Sequence, residues 1–384
     1  MEIYDFDVII AGAGPSGCST ALSLANSELK IALIDKAIFP REKICGDGLT
    51  VDTQNQLKKL SPRLFEKIQS YQKRKIIQGC LITSTKGYKN YFEFSKGHQP
   101  YIIERALFDN ELLMECKRHE NIHVLEDTLL NDCIITDDDV TVTSSKGTFK
   151  SKMIVGADGV NSVIAKIINP NKAKQTLFGS SLRAYYSNVK DIEYQDAFEI
   201  HFLKDLIPGY FWIFPMFNNT YNVGIGMNNK IMKKRGIKLS DMFNDIVNND
   251  PRFKERFKDA NLEGGIKAFR IPAFNRYKKI YGKRVLLVGD SANIVDPLSG
   301  EGIANALRTG RFAGDHIKKC FAANNFSKDF NKSYYKRIKK VMFPELNRNF
   351  ILAIFTSNEF FSNLALKNNS WLNKLMKSLA KRFI

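Results

Sequence analysis

An α/β fold is predicted for this 384-residue chain by three short apolar runs that each end on glycine or on a glycine–acid pair. They are VIIA at 8–11 before Gly12, IV at 154–155 before Gly156-Ala157-Asp158-Gly159, and VLLV at 285–288 before Gly289-Asp290. Apolar runs of this length are what parallel strands show when helices cover both faces of their sheet.

The first run carries the most specific pattern. It leads into Gly12-Ala13-Gly14-Pro15-Ser16-Gly17, after which Ala21, Leu22, Leu24 and Ala25 recur at helical spacing. A second strand, IALI at 31–34, then ends at Asp35. Strand, GxGxxG, helix, strand and acid form the Rossmann-type dinucleotide fingerprint. Gly12 allows the tight turn, Gly14 lets the backbone approach a pyrophosphate, and Gly17 lets helix and strand pack closely. Pro15 and Ser16 open the helix, whose free N–H groups and positive dipole end face the phosphates. Asp35 can accept bonds from a ribose hydroxyl, and Lys36 and Arg41 beyond it are further candidate cofactor contacts. A glycine turn without a nucleotide is the alternative, and the flanking strands argue against it. FAD and NAD both remain open at this point.

The last run is followed by a turn-rich stretch with Pro297, Gly300 and Gly302, and a helix is predicted from Ile303. An acid at a strand's carboxyl end suits a sugar or ribityl hydroxyl. Glycines ahead of a helix let N–H groups press against a flat ring and a negative charge. Between these segments, residues 207–227 alternate bulky and small groups with aromatics at 210, 211, 212, 214 and 217, as in a strand facing an apolar space. Tyr and Trp pair a large apolar face with a polar tip, which suits an oily substrate that must be oriented; filling a sheet–helix core is the alternative. Strand patterns at 76–83, 91–94 and 197–202 and a helix over 239–258 make this middle region an inserted antiparallel sheet. Residues 326–384 read as helical, with Pro344 as a break.

Composition bounds the function classes. The 58 Lys and Arg against 40 Asp and Glu give a formal charge of +18. From Lys318 onward 14 basic residues face 3 acidic ones, +11 of that total. A balance of this kind suits nucleic acid, an anionic membrane surface or an acidic ligand, or a solvated lysine-rich surface. No helix-turn-helix, zinc-finger or ribonucleoprotein motif supports a nucleic-acid partner. From Trp371 the pattern is amphipathic, with Trp371, Leu372, Leu375, Met376, Leu379 and Phe383 on one face and Lys374, Lys377 and Lys381 opposite. Such a tail either docks on the protein's own core or lies in a membrane interface. The six cysteines form no CxxC pair, so no zinc site is expected and a reducing compartment fits. No apolar h-region opens the chain and no apolar run approaches ~18 residues, so a cytoplasmic protein, at most peripheral to a membrane, is expected.

Together the three strand–glycine segments resemble the flavoproteins built on the p-hydroxybenzoate hydroxylase fold. The resemblance implies that the GxGxxG turn, Asp158-Gly159 and the Gly289-Asp290…Pro297…Gly300 segment jointly hold FAD. It places Asp290 on the ribityl chain and the backbone of Gly300, Gly302 and Ile303 at the pyrimidine edge of the isoalloxazine. Arg105, in ERALFDNELL, falls where the group carries an FAD-contacting Arg. Within the group, Lys43-Ile44-Cys45-Gly46-Asp47-Gly48 resembles the Cys-Gly-rich element of the geranylgeranyl reductase family. IPGYFWIFP at 207–215 resembles its YxWxFP motif, and Asn222-Val223-Gly224-Ile225-Gly226 the strand that follows.

That resemblance implies saturation of carbon–carbon double bonds in prenyl chains, with hydride from reduced flavin N5 added to one alkene carbon and a proton to the other. It makes Cys45 and Gly46 cofactor contacts, Cys45 and Tyr210 the candidates for shaping the catalytic site, and Tyr210, Trp212, Phe214, Pro215 and Gly46 the substrate lining. A hydrophobic, lipid-like small molecule is the implied partner. No second GxGxxG unit is present, so NAD(P)H or another reductant is expected only as a transient donor. The sequence departs from the family at Asp47, where CGDG replaces CGGG, and at Asp35, where Glu is commoner. A monooxygenase, acting as a hydroxylase on an aromatic or polyene, is the alternative. Halogenases carry WxWxIP, from which Tyr210 and Phe214 depart. The expected architecture is a Rossmann-type FAD-binding domain over 1–75, 99–175 and 276–325, an inserted antiparallel-sheet substrate domain over 76–98 and 176–275, and a C-terminal helical region over 326–384.

Overall fold

The computed structural model describes residues 5–170, 178–272, 274–356 and 358–367. Its first sheet is centred on Phe6–Ala11, which pairs in parallel with Ile31–Ile34 on one side and Gly147–Gly156 on the other. Ile122–Leu125 and Val285–Leu287 extend it, again in parallel. The three apolar runs therefore end side by side, with Ala11 opposite Gly156 and Gly156 opposite Leu287. That carboxyl edge is where open α/β sheets bind ligands. Strands Leu130–Ile135 and Val140–Ser144 form an antiparallel meander onto the long Gly147–Gly156 strand. Helices Pro15–Ser23 and Ile303–Ala322 lie together over this sheet, and glycine sets their approach. A Cβ on Gly310 would stand 2.4 Å from the Ser16 carbonyl oxygen.

The second sheet has seven strands in the order Asn261–Pro272, Phe178–Ser187, Thr220–Asn228, Tyr210–Pro215, Ala197–His201, Gly79–Thr83 and Lys89–Glu93. All pairs are antiparallel except Ala197–His201 with Gly79–Thr83. One face buries Phe211, Ile213, Val223 and Ile225 against Phe243, Phe253 and Phe257. Phe243 and Phe257 come from two helices, Leu239–Asn248 and Lys254–Phe257, and Phe253 caps the second, in place of the single helix expected over 239–258. Pro251 explains the break, since it has no N–H to continue the ladder and its ring clashes with the preceding turn. Likewise 207–227 is two strands and not one. Asn218 and Asn219 take left-handed φ values of 62° and 54° and turn the chain back as a hairpin.

A small three-stranded sheet, Gly48–Leu49, Tyr101–Ile102 and Lys75–Ile76, joins the two large ones. The C-terminal region forms helices Lys328–Val341, Phe343–Thr356 and Glu359–Leu366. Pro344 opens the second of these, where its missing N–H costs nothing, so the break falls just before it at Met342. These helices span the molecule. Asn349 donates to the Asp296 carboxylate beside the first sheet, while Thr85 at the far end of the second sheet bonds Glu359 and Asn363. The amphipathic stretch at 371–384 lies outside the described residues. Among the described residues no helix is long and apolar enough to cross a membrane.

Candidate functional site

The nucleotide end of the site is made mainly of backbone. Gly12 has φ +104°, and a Cβ there would stand 2.4 Å from the Ala157 carbonyl oxygen. A Cβ on Gly17 would meet the Gly12 oxygen at 1.8 Å. Gly14 caps helix Pro15–Ser23 with no side-chain bond, so its first N–H groups stay available to an anion. Ser16 is buried, with its Oγ 2.8 Å from where a Gly289 Cβ would stand. Arg41 reaches over this turn. Its Nη2 lies 3.6 Å from the Gly14 Cβ position, and its buried Nη1, though 3.1 Å from Asp109, has no hydrogen-bond partner. Asp35 braces the turn from behind, accepting from Ala13 N–H at 2.8 Å and Ala37 N–H at 2.9 Å, with lone pairs to spare for a ribose. Lys36 stands exposed beside it.

Asp158 caps the short helix Val163–Ile168 through one oxygen, accepting from Val163 N–H at 2.7 Å. Its other oxygen is buried without a partner, and burial raises its pKa. Gly159 turns the chain there at φ +76°. At the third strand Gly289 takes φ +58°, and Asp290 Oδ1 sits 3.6 Å from the Gly302 Cβ position. The loop over Pro297 and Gly300 is shaped by Asp296, which sequence reasoning missed. Its Oδ1 accepts from Leu298 N–H, Ser299 N–H and Ser299 Oγ at 3.0, 2.8 and 2.9 Å. The Asp-Pro-x-Ser spacing was the available signal. Gly302 caps helix Ile303–Ala322 with no side-chain bond of its own. Glu301 accepts from Ala304 N–H at 2.7 Å, and burial, with Asp52 and Asp296 nearby, pushes its pKa up to about 7.

Arg105 is buried and bidentate with Asp109, both bonds at 2.7 Å. Burial opposes its charge, but Asp109 and the Cys45 sulfur, to which it hydrogen-bonds, more than offset that and raise its pKa. Lys43, which sequence reasoning quoted without a role, stands over the Phe269 ring at 3.0 Å. Burial and then Arg105 lower its pKa to about 8, against Asp290 and Cys45. An uncapped helix N-terminus, an unpartnered Arg41 nitrogen and unpartnered Asp158 oxygen, and a glycine cradle that a Cβ would fill are the features a dinucleotide needs. They fit FAD.

The candidate substrate end is made of side chains on the other face of the second sheet. Tyr210, Trp212 and Phe214 share that face, and the register extends it in rows. Trp212 stands opposite Gly224 on one side and Ile200 on the other, and Gly224 opposite Arg183. Phe214 stands opposite Asn222, and Asn222 opposite Tyr185. The Trp212 indole lies flat over Gly224, whose Cβ would come within 2.2 Å of Cζ2. Phe214 packs on Phe198 at 4.6 Å and meets the Gly46 Cβ position at 3.3 Å. Pro215, expected in the substrate lining, ends the strand buried opposite Tyr221, in step with Phe211 and Ile213 and not with the row of Tyr210, Trp212 and Phe214. Phe211 belongs to the helix-side core and Phe217 is exposed at the hairpin, so three of the five aromatics face the site. The Tyr210 hydroxyl donates to the Ser299 carbonyl at 2.7 Å, which docks this wall on the flavin-side loop. Burial pushes its pKa up to about 12.

Cys45 is half-buried, and its carbonyl accepts from Asn222 Nδ2 at 2.8 Å. Asn222 also donates to Asp47 Oδ2 at 2.8 Å and accepts from Trp212 Nε1 at 2.9 Å. Asp47 further accepts from the Tyr185 hydroxyl at 2.7 Å and Arg105 N–H at 3.2 Å. The glycine-rich turn and the YFWIFP strand are thus brought together, as their shared role requires. Of the residues that join them, Asn222 opens the Asn222–Gly226 stretch quoted above without a role of its own, and Tyr185 carries no local sequence signal.

Comparison with known proteins agrees with this geometry. A digeranylgeranylglycerophospholipid reductase of Methanocaldococcus jannaschii is 29% identical over 350 residues, covering 88% of this chain and 84% of that one. A menaquinone reductase of Mycolicibacterium smegmatis is 25% identical over 320 residues, 80% of this chain and 75% of that one. Among solved structures, a geranylgeranyl bacteriochlorophyll reductase-like protein from Thermoplasma acidophilum superposes with a TM-score of 0.83 at 20% identity, covering 98% and 96% of the two chains. The halogenase PltM in complex with FAD gives 0.77 at 19%, covering 98% and 83%. At these identities the structural matches establish a shared fold. The model of the FAD binding domain matches residues 5–310, and with the cradle just described it makes this chain a member of the FAD-binding domain family, with FAD as its cofactor.

Proposed function

We propose that this chain reduces carbon–carbon double bonds in an isoprenoid or similar lipid chain. The observation that carries this reading is the wall of Tyr210, Trp212 and Phe214, continued by Phe198 and Ile200, set against the Cys45–Gly46 turn. An extended apolar face suits a polyprenyl chain better than a compact polar substrate. The names of the relatives, which act on digeranylgeranyl lipids and menaquinone, support the same substrate class.

Gly12, Gly14, Pro15, Ser16, Gly17, Asp35, Arg41, Arg105, Asp158, Gly159, Gly289, Asp290, Pro297, Gly300, Gly302 and Ile303 would hold FAD, with Lys36 at the exposed margin. When bound and reduced, FAD supplies the hydride for one alkene carbon. The chain's own residues then have three tasks. Trp212, Phe214 and Gly46 exclude water and hold the prenyl chain flat. Tyr210, neutral at physiological pH, keeps its hydroxyl on Ser299 and so orients the flavin-side loop against the wall. Cys45 presents a thiol beside the Arg105 guanidinium.

The first sheet and its helices, over 1–75, 99–175 and 276–325, would serve the cofactor, and 76–98 with 176–275 the substrate. NAD(P)H or another reductant would visit transiently. Peripheral membrane contact through the C-terminal region is supported by Ile351 and Ile354, 53% and 57% exposed on helix Phe343–Thr356. The test is to reduce the purified holoprotein anaerobically, add a polyprenyl lipid, and weigh the product. A gain of two hydrogen atoms with flavin reoxidation is expected. Reoxidation without it across prenyl lipids and quinones, or substrate-stimulated oxygen uptake with oxygen in the product, overturns the reading in favour of a monooxygenase.

A further inference from the structure

Asp47 departs from the glycine-rich pattern in which it lies, and its surroundings are built for it. Its φ is +59°, a conformation glycine adopts freely and Asp adopts at some cost. Its side chain has no exposed surface. A group so enclosed, even with FAD and substrate absent, touches neither of them. What it touches is protein: the Tyr185 hydroxyl at 2.7 Å, Asn222 Nδ2 at 2.8 Å and Arg105 N–H at 3.2 Å. Each of these is a donor. Asn222 in turn holds the Cys45 carbonyl and the Trp212 indole. Two of the contacts cross from the flavin-side turn to the second sheet, 138 and 175 residues along the chain.

We infer that Asp47 is a positioning residue: through Asn222 and Tyr185 it fastens the Cys45–Gly46 turn onto the wall that carries Trp212 and Phe214. It sets where the Cys45 thiol stands relative to the aromatic face, without meeting the reacting atoms itself. Such a role presupposes that Cys45 and the wall form the substrate end of the site, yet it can be read without any substrate. A carboxylate accepts from all three neighbours, and a protonated carboxyl keeps them by donating to the Tyr185 hydroxyl, which turns to accept. Burial pushes the Asp47 pKa up to about 6, opposed by Tyr185, Arg183, Asn222 and Arg105. The ionisable groups facing it are Tyr185 and Arg183 from strand Phe178–Ser187, Arg105 with Glu104 at the start of its helix, and Cys45 in its own turn. Because its pKa is raised in the closed clamp, the closed form binds the proton more tightly than a solvated one, and lowering the pH through about 6 does not open it.

Cysteine labelling reads this directly. Cys45 is half-buried and the other five cysteines are buried, so iodoacetamide on the folded holoprotein reports on Cys45. Asp47→Gly keeps the backbone conformation and removes the clamp. It is expected to retain FAD and to raise the alkylation rate about tenfold at pH 7.5, the scale of losing a charge-assisted hydrogen-bond network. The ratio of the D47G rate to the wild-type rate should stay above one on both sides of pH 6. Asp47→Asn should restore slow labelling only in part, since its oxygen can take the place shared by Tyr185 and Asn222 while its NH2 is then set against the Arg105 N–H. Should D47G fail to fold, Tyr185→Phe removes one strand of the clamp with the ring kept and should shift labelling the same way by a smaller factor. Wild-type labelling rates in FAD-loaded D47G, or in Y185F, overturn the inference. Absence of prenyl reduction by the wild type bears on the proposed activity alone.

Discussion

The two ends of the site are built by different means. At the nucleotide end, glycine backbone and uncapped helix termini do the binding, and the contacts that matter are between atoms every residue has. At the substrate end, side chains on one face of a sheet do it, and what matters is which residues the register sets side by side. Both ends depend on close approach, but a methyl group added to each meets different neighbours. At Gly17 it meets a carbonyl oxygen at 1.8 Å, whereas at Gly46 it meets the edge of the Phe214 ring at 3.3 Å. Backbone cannot yield and a ring edge can. The nucleotide end is accordingly the brittle half of the site and the substrate end the adjustable half.

That contrast can be broken by substitution. Gly17→Ala should have the largest effect, a destabilisation of about 3 kcal/mol or more with loss of bound flavin absorbance. Gly12→Ala should behave alike, because its φ of +104° adds backbone strain to the contact with Ala157. Gly224→Ala lies at the substrate end but meets the Leu182 carbonyl at 2.3 Å as well as Trp212 at 2.2 Å. It should cost about 2 kcal/mol by thermal denaturation and blue- or red-shift Trp212 emission, with FAD retained. If G224A instead loses flavin, the two ends are not separable.

Smaller effects sharpen the comparison. Glu301 has its pKa raised to about 7, so the folded protein binds its proton more tightly than the unfolded chain does. Its contribution to stability is present below the usual carboxylate range and is lost as the pH rises through about 7. The melting temperature of the wild type relative to Glu301→Gln should therefore fall between pH 5 and pH 8, and a flat difference would refute the assignment. Asp47 adds a change of the same sign at lower pH. Smallest of all, Gly46→Ala should leave flavin content and stability within about 1 kcal/mol of wild type while raising KM for the prenyl substrate.

The same contrast governs how much of the molecule was legible in the sequence. Glycine at Gly12, Gly14 and Gly17 announces itself because few other residues can stand there, and the strands at 8–11, 31–34 and 285–288 announce themselves because both their faces are buried. The helix from Ile303 was legible for the same reason, as was the late Gly289-Asp290 turn. Side-chain partnerships across the fold were not. Asp35 was readable as an acid at a strand end, but not as the brace of Ala13 N–H. Asn222 and Tyr185 look like ordinary strand residues until the register sets them opposite one another beneath Asp47. Local chemistry did carry the break at Pro251 and the hairpin at Asn218-Asn219, and reading 239–258 and 207–227 as single elements gave periodicity too much weight over it.

The parallel pairing of Phe6–Ala11 with Gly147–Gly156, and of that strand with Val285–Leu287, has a consequence for biosynthesis. Phe6–Ala11 leaves the ribosome well ahead of Val285–Leu287, and the sheet it centres is incomplete until that strand arrives. At about 5–20 residues per second, the interval between the first strand and the Val285–Leu287 strand is tens of seconds. The loop held by Asp296 waits longer still, for Asn349 on the C-terminal helices. During that time the apolar edges of Phe6–Ala11 and Ile31–Ile34 need shelter from other nascent chains. The glycine cradle of the cofactor is likewise complete only once Gly289-Asp290 has joined Gly12 and Gly156 at the edge of this sheet.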